Sequence, residues 1–253
     1  MRPNLLLMTG SWGGPIDRRQ ALLAVGALGV AAVATACSRG GSSKSKPANA
    51  SGPTTTSEVA CVLAPEVTAG PYYLEHSPGR SDITEGRPGT PLGLAITVVH
   101  ATTCDAIFNA AVDIWHADAD GVYSGFGTAS TGAGAAAAPT DHYTFLRGRQ
   151  FTDVAGRANF TTIYPGWYRG RAVHIHIEVR VDDTLVHTGQ FFFPDALNTK
   201  VLTGGPYQRR GAPDTTNRAD SIYQDAGGPA ATLDPQPQGD GYRAAATVGV
   251  RNA

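Results

Sequence analysis

Apolar and polar residues alternate along much of the chain with a period of two, a pattern typical of β-strands that bury one face. The clearest run is 173–181, where one face carries Val173, Ile175, Ile177 and Val179, and the other carries His174, His176, Glu178 and Arg180. Similar runs predict strands at 92–100, 111–116, 143–151, 158–163, 185–193 and 247–250, with short helical turns near 196–202. Glycine, proline and aspartate punctuate these runs, so we predict an all-β fold: a single β-sandwich with long loops.

The N-terminal part of the sequence does not continue this pattern. Asp17-Arg18-Arg19-Gln20 precedes an uncharged run at 21–36, which indicates an export signal of the twin-arginine type. The run ends at Cys37 in a sequence similar to a lipoprotein cleavage site, so we expect lipidation of Cys37, with secretion of an unlipidated protein as the alternative. We therefore predict an export signal at 1–36, a flexible linker at 37–57 and the folded domain at 58–253, located at the cell surface or outside the cell.

Charge and cysteine content narrow the expected partners. With 20 Lys and Arg against 21 Asp and Glu, nothing indicates nucleic acid, and a membrane contact is expected only through a lipid anchor. Cys61 and Cys104 remain in the folded part. In an exported protein such a pair predicts a disulfide, since no Cys-x-x-Cys spacing favours metal binding.

His174 and His176 lie on one face of a strand, about 7 Å apart along it, and could bind one transition metal. The alternative is a solvated polar face. Tyr123 follows an Asp-Gly turn and Tyr164 precedes a Pro-Gly turn. Phenolate oxygen is a hard, anionic donor that favours Fe(III), and two phenolates with two imidazoles would leave a ferric site with one net positive charge.

Several ordered motifs resemble the intradiol ring-cleavage dioxygenases, the family of protocatechuate 3,4-dioxygenase and catechol 1,2-dioxygenase. Residues 68–73 (TAGPYY) resemble a segment near the start of the family's catalytic domain, and residues 112–123 (VDIWHADADGVY) resemble the segment that ends in its first tyrosinate. The remaining matches are the second tyrosinate, the two histidine ligands, the arginine over the substrate and the glutamine near its ring: Tyr164, His174, His176, Arg171 and Gln190.

This resemblance implies one Fe(III) per chain, held by Tyr123, Tyr164, His174 and His176. It also implies cleavage of a small aromatic diol of the catechol type by dioxygen, giving a cis,cis-muconate-type diacid. Tyr164 would leave the metal and accept a substrate proton, Arg171 would stabilise negative charge on the substrate, and Gln190 would orient the ring. The interval between Tyr164 and His174 is shorter than in the well-known enzymes, and neither the particular catechol nor the oligomeric state follows from the sequence.

Three other interpretations involve the same residues. A non-catalytic β-sandwich at the cell surface could bind a metal or an aromatic ligand without oxygen chemistry. His116 and Asp118 could join the histidine pair in a zinc hydrolase, although no glutamate general base stands at a recognisable offset. Asp118 and Asp120 could begin a calcium loop, but the later acidic ligands are missing, which favours a turn that orients Tyr123.

Overall fold

The structure is a computed structural model, and it describes residues 65–127 and 138–251. These residues belong to one compact unit, Thr55–Ala253. The predicted export signal and linker lie outside the described residues, as do Cys37, Cys61 and most of the Ala/Gly-rich segment after Gly127.

Within the described residues, eight strands form two four-stranded sheets. The first sheet contains, in spatial order, β4 (Arg157–Ile163), β1 (Pro91–His100), β8 (Gly241–Val250) and β7 (Gln236–Gln238). The second contains, in spatial order, β3 (Arg147–Phe151), β2 (Ala111–Trp115), β5 (His174–Val181) and β6 (Thr184–Phe192). Neighbouring strands are antiparallel except β1 and β8, which run parallel.

The segments between β6 and β7 are mostly helical. An α-helix, α1, covers Asp195–Leu202, and a second, α2, covers Ser221–Asp225. Three 3₁₀ turns lie at Gly205–Arg210, Asn217–Ala219 and Gly228–Ala231. The prediction of an all-β sandwich is confirmed in its coarser form, a mostly β fold with two sheets. The helical segments between β6 and β7 depart from it, and only the region of α1 was predicted to be helical.

Each predicted strand is present, with shifted ends. The strand predicted to begin at residue 143 starts only at Arg147, because Leu146 adopts a positive φ of 57° that interrupts extended backbone. The last strand is longer than predicted and begins at Gly241, and the short strand β7 was not predicted.

The hydrophobic core contains residues of both sheets, which places it between them. The apolar face of β5 contributes Val173, Ile175, Ile177 and Val179 to this core, as the alternation predicts. The opposite face of β5 is also buried, since His174, His176 and Glu178 are each at most 3% exposed. The histidine face is therefore an enclosed polar site and not a solvated surface.

Among the described helices, none is both long enough and apolar enough to cross a membrane.

Candidate metal centre

One row of side chains crosses the second sheet at the end where β5 begins. Trp115 of β2 pairs with Arg147 on one side and with His176 on the other, and His176 pairs with Gln190 of β6. Directly paired residues point to the same face of a sheet. The strand register therefore places a cation, an indole, an imidazole and an amide side by side on the face that carries His174.

The two imidazoles converge on one point. Their Nε2 atoms are 3.0 Å apart, and the Nδ1 atom of His174 donates to the carbonyl of Ala172 at 2.7 Å, which leaves a lone pair on its Nε2. The His176 ring stacks on Trp115 with centroids 4.8 Å apart and planes 4° apart. Burial and, secondarily, nearby charge lower the pKa of both histidines well below the usual range, so both are neutral, the form that binds metals.

Tyr123 brings a phenolic oxygen to the same point. Its hydroxyl lies 3.1 Å from the Nε2 of His176 and 3.3 Å from the Nε2 of His174. Tyr72, from the 68–73 motif, stacks on its ring at a centroid distance of 4.8 Å. Burial raises the pKa of Tyr123 well above its ordinary value, so this side chain becomes a phenolate only beside a strong positive charge such as a metal ion.

The second tyrosine at the site is Tyr168. Its hydroxyl lies 3.5 Å from the Nε2 of His174 and accepts a hydrogen bond of 3.3 Å from Nη1 of Arg171. Burial raises the pKa of Tyr168, and the guanidinium of Arg171 opposes that rise. The oxygen of Tyr168 thus lies beside the guanidinium of Arg171, whereas the oxygen of Tyr123 contacts both imidazoles.

The prediction that Tyr164 is the second tyrosine ligand is wrong in this structure. Tyr164 is fully buried in the core, where its hydroxyl donates to Oδ1 of Asn198 at 2.7 Å and its ring packs on Phe193. It continues the core-facing positions of β4, which include Ala158 and Phe160. The Pro-Gly turn that follows brings Tyr168 to the histidines instead.

The loop that precedes Tyr123 and the loop between β4 and β5, which carries Tyr168, make close backbone contacts with each other. A Cβ on Gly166 would lie 2.1 Å from the carbonyl oxygen of Asp118, and one on Gly121 would lie 2.2 Å from that of Trp167. The Asp118 carboxylate accepts from the backbone N–H of Val122 at 2.9 Å and holds the turn before Tyr123. This turn is the one that the Asp-Gly pattern predicts.

Arg171 and Gln190 lie beside the residues that carry the donor atoms. The Nη2 of Arg171 donates to Oε1 of Gln190 at 2.5 Å, and Nε2 of Gln190 donates to the carbonyl of Thr68 at 3.0 Å. The 68–73 segment is thereby tied to the candidate metal centre. Its Gly70, with a φ of 71°, approaches His176 so closely that a Cβ there would lie 3.2 Å from the ring.

Arg147 is a part of the site that sequence reasoning missed. It is 1% exposed, and it donates to the side chain and carbonyl of Ser124, next to Tyr123, at 2.9 and 2.8 Å. Its Nη1 has no hydrogen-bond partner among the described residues, and burial lowers its pKa to about 10. A buried cation near Tyr123 favours the phenolate. A prediction of strand register that paired Arg147 with Trp115 would have placed Arg147 at this site.

The donor set fits a metal ion. The Nε2 atoms of His174 and His176 and the hydroxyl of Tyr123 lie 3.0–3.3 Å from one another, and the hydroxyl of Tyr168 lies 3.5 Å from the Nε2 of His174. Ligands about 2 Å from a shared ion stand about 3 Å from one another. Two neutral imidazoles and two phenols that can become phenolates make a set suited to a trivalent, oxygen-seeking ion.

His116 does not join this centre. Its Nε2 bonds to Oγ1 of Thr162 at 2.7 Å and its Nδ1 to the carbonyl of Ala117 at 2.9 Å, so both ring nitrogens are already used. Asp118 binds its own turn and pairs with Arg87 at 3.0 Å. A zinc site that combines these two residues with the histidine pair therefore lacks free ligands.

Of the cysteines, Cys104 is disulfide-bonded, while Cys37 and Cys61 lie outside the described residues.

Comparisons with known proteins identify the family of this chain. The sequence pattern of the family described as "Dioxygenase" matches residues 68–196, which include both histidines, Tyr123 and Tyr168. An intradiol ring-cleavage dioxygenase from Tetranychus urticae is 31% identical, with a TM-score of 0.70 over 76% of this chain and 95% of that one. The chain belongs to the intradiol ring-cleavage dioxygenase family.

Other members of the intradiol family are more distant. The dioxygenase domain of a dioxygenase carbohydrate-binding protein fusion from Streptomyces sp. SirexAA-E is 27% identical, with a TM-score of 0.55 over 75% of this chain and 98% of that one. A chlorocatechol 1,2-dioxygenase of Pseudomonas putida is 29% identical over 149 residues, which are 49% of this chain and 51% of that protein. The match thus spans about half the length of this curated relative.

Proposed function

We propose that this protein uses Fe(III) and dioxygen to cleave a catechol between its two hydroxyl-bearing carbons, giving a cis,cis-muconate-type diacid. The observation that carries the proposal is the convergence of His174, His176 and Tyr123, whose donor atoms lie 3.0–3.3 Å from one another, with the hydroxyl of Tyr168 3.5 Å from the Nε2 of His174. A ferric ion held there would act as a Lewis acid that makes the ring of a bound catecholate open to attack by dioxygen. Family membership supports the same reaction class.

The contacts give different tasks to the two tyrosines. Tyr123 lies within 3.3 Å of both imidazoles and would remain a ligand together with them. The hydroxyl of Tyr168 lies 3.5 Å from the Nε2 of His174 and accepts a hydrogen bond from Arg171. A metal ion held at this site would keep Tyr168 as a phenolate, and we assign to that oxygen the role of accepting one of the two hydroxyl protons that a catechol loses when it binds through both oxygens.

Arg171 and Gln190 form the polar wall of the site. The guanidinium of Arg171 reaches both Tyr168 and Gln190, so it is placed to stabilise negative charge on the substrate ring and its oxygens. Gln190 is anchored by Thr68, which fixes the direction of its amide. Tyr72 stacks on Tyr123 and Trp115 stacks on His176, so buried aromatic rings flank the donor atoms and would limit access of water.

A visible absorption spectrum tests the proposal. We expect purified protein loaded with iron to show a broad tyrosinate-to-Fe(III) charge-transfer band, because phenolate oxygens would bind the metal directly. Anaerobic addition of catechol should move the band to longer wavelength, and admission of oxygen should restore it with oxygen uptake. A colourless protein that holds zinc or no metal would contradict the proposal and favour a binding module without oxygen chemistry.

Arg171→Ala should lower kcat/KM for catechol by about 10- to 100-fold, the range expected when a charge-assisted hydrogen bond to the reacting group is lost. Iron content should stay near that of the wild type, because Arg171 donates to Tyr168 and cannot itself bind iron. Oxygen uptake and iron per chain would be measured together. Arg157→Ala, at an exposed arginine on β4, is the matched control and should change neither. Unchanged kinetics in Arg171→Ala would reject the assigned role.

A further inference from the structure

Asp220 is a buried carboxylate that lies beyond the region matched by the family and reaches back to the site. It is 2% exposed and precedes helix α2. Its Oδ2 accepts hydrogen bonds from Nε of Arg171 at 2.9 Å and from the backbone N–H of Ala172 at 2.8 Å. Its Oδ1 accepts from the backbone N–H groups of Ile222 and Tyr223 and so caps α2.

The contact with Arg171 fixes the orientation of a rigid group. A guanidinium is planar, so holding its Nε in place also sets the directions of the two terminal nitrogens. In this orientation one terminal nitrogen reaches Oε1 of Gln190 at 2.5 Å and the other reaches the hydroxyl of Tyr168 at 3.3 Å. The carboxylate of Asp220 therefore holds the Nε edge of Arg171, while the two terminal nitrogens contact Gln190 and Tyr168.

The contact with Ala172 links Asp220 to a histidine. The N–H of Ala172 donates to Asp220, and the carbonyl of the same residue accepts from Nδ1 of His174. That second bond leaves the lone pair of His174 on its Nε2, which faces the other donor atoms. One carboxylate thus holds the backbone that orients His174 and the side chain that contacts Tyr168.

We propose that Asp220 is a positioning residue of the dioxygenase site, which acts mainly by holding Arg171 in place. This inference rests on the proposed function. The carboxylate also neutralises a guanidinium whose side chain is only 14% exposed, so its loss would leave Arg171 without its anionic partner and free to turn away from Tyr168 and Gln190. The C-terminal segment would thereby contribute to turnover without contacting the substrate.

Two substitutions separate this role from the helix cap. Asp220→Asn removes the charge, and its single carbonyl oxygen cannot serve both α2 and Arg171. Asp220→Ser retains a capping hydroxyl but is too short to hold Arg171. Both should lower kcat/KM for catechol by about 10-fold in iron-replete protein, as expected for loss of one charge-assisted contact. Asp225→Asn, the same change at an exposed residue of α2, is the control and should match the wild type.

A combination with Arg171→Ala decides whether Asp220 acts through Arg171. If it does, adding Asp220→Asn to Arg171→Ala should change kcat/KM by less than about twofold, whereas independent effects would multiply. Anaerobic titration with catechol, followed by the shift of the charge-transfer band, gives a dissociation constant that does not depend on turnover. If the effects of the two substitutions multiply in the double variant, or if Asp220→Asn behaves like Asp225→Asn, the inference about Asp220 is overturned and the proposed function still stands. An inactive, colourless wild-type protein would overturn the proposed function and this inference with it.

Discussion

Tyr168→Phe is expected to weaken the charge-transfer band and to lower turnover of catechol by about 100-fold or more, the scale on which a positioned proton acceptor contributes. The substitution removes the oxygen that lies 3.5 Å from His174 and receives the hydrogen bond of Arg171, and it leaves the ring in place. Iron per chain, the visible spectrum and oxygen uptake would be measured on the same preparation.

Tyr164→Phe is the matched control, because it removes the same atom from a tyrosine four positions earlier. It should keep the colour and nearly all of the activity. It should lower the free energy of unfolding by about 1 kcal/mol, because Asn198 loses the hydrogen bond from the phenol. A Tyr164→Phe protein that is colourless, beside a Tyr168→Phe protein that retains its band, would reverse the assignment made from the structure.

Gly166→Ala is expected to damage the metal centre although it touches none of the donor atoms. The new Cβ would lie 2.1 Å from the carbonyl oxygen of Asp118 and 2.9 Å from the backbone of Ala119. Neither contact is the end of a flexible side chain, so the two tyrosine-bearing loops must separate. We expect a loss of about 1–3 kcal/mol in the free energy of unfolding, the usual cost of overpacking, and at least a 10-fold weaker retention of iron.

The control for Gly166→Ala is Gly204→Ala. Gly204 has a φ of −121°, and a Cβ there would meet only the carbonyl of Val201 at 4.0 Å. Thermal unfolding and iron content after dialysis against a chelator would be compared for both variants. If Gly166→Ala retains iron as well as Gly204→Ala does, the fit between the loops does not hold the two tyrosines together.

The strands were predictable because each has a clear period of two, and β5 shows what that signal can and cannot give. Its alternation correctly separates the core face from the face with His174 and His176. It does not reveal that the second face is also buried, because the cover includes the 68–73 segment, which lies more than 100 residues earlier in the chain. Contacts between segments that are distant in sequence produce no periodic pattern of apolar residues in either segment.

The choice between Tyr164 and Tyr168 shows how a site residue can be misassigned. Both lie between the end of β4 and the histidines, and motif spacing alone favoured the one next to the Pro-Gly turn. Strand parity gives the opposite answer, since Tyr164 shares the core-facing parity of Ala158 and Phe160. Neither motif spacing nor strand parity could have identified Asp220. It lies in the helical region between β6 and β7, and only the folded structure places it next to Arg171.

The parallel pairing of β8 with β1 determines when the first sheet can be completed. During synthesis β1 can pair with β4 after about residue 163, but its other edge has no strand until Gly241–Val250 has been made. A chain still in synthesis therefore carries an exposed edge on β1, the kind of edge that invites pairing with another chain. Until β8 is made, the unpaired edge of β1 can pair with another chain. The pairing of β1 with β8, which joins strands that are far apart in sequence, then completes the first sheet.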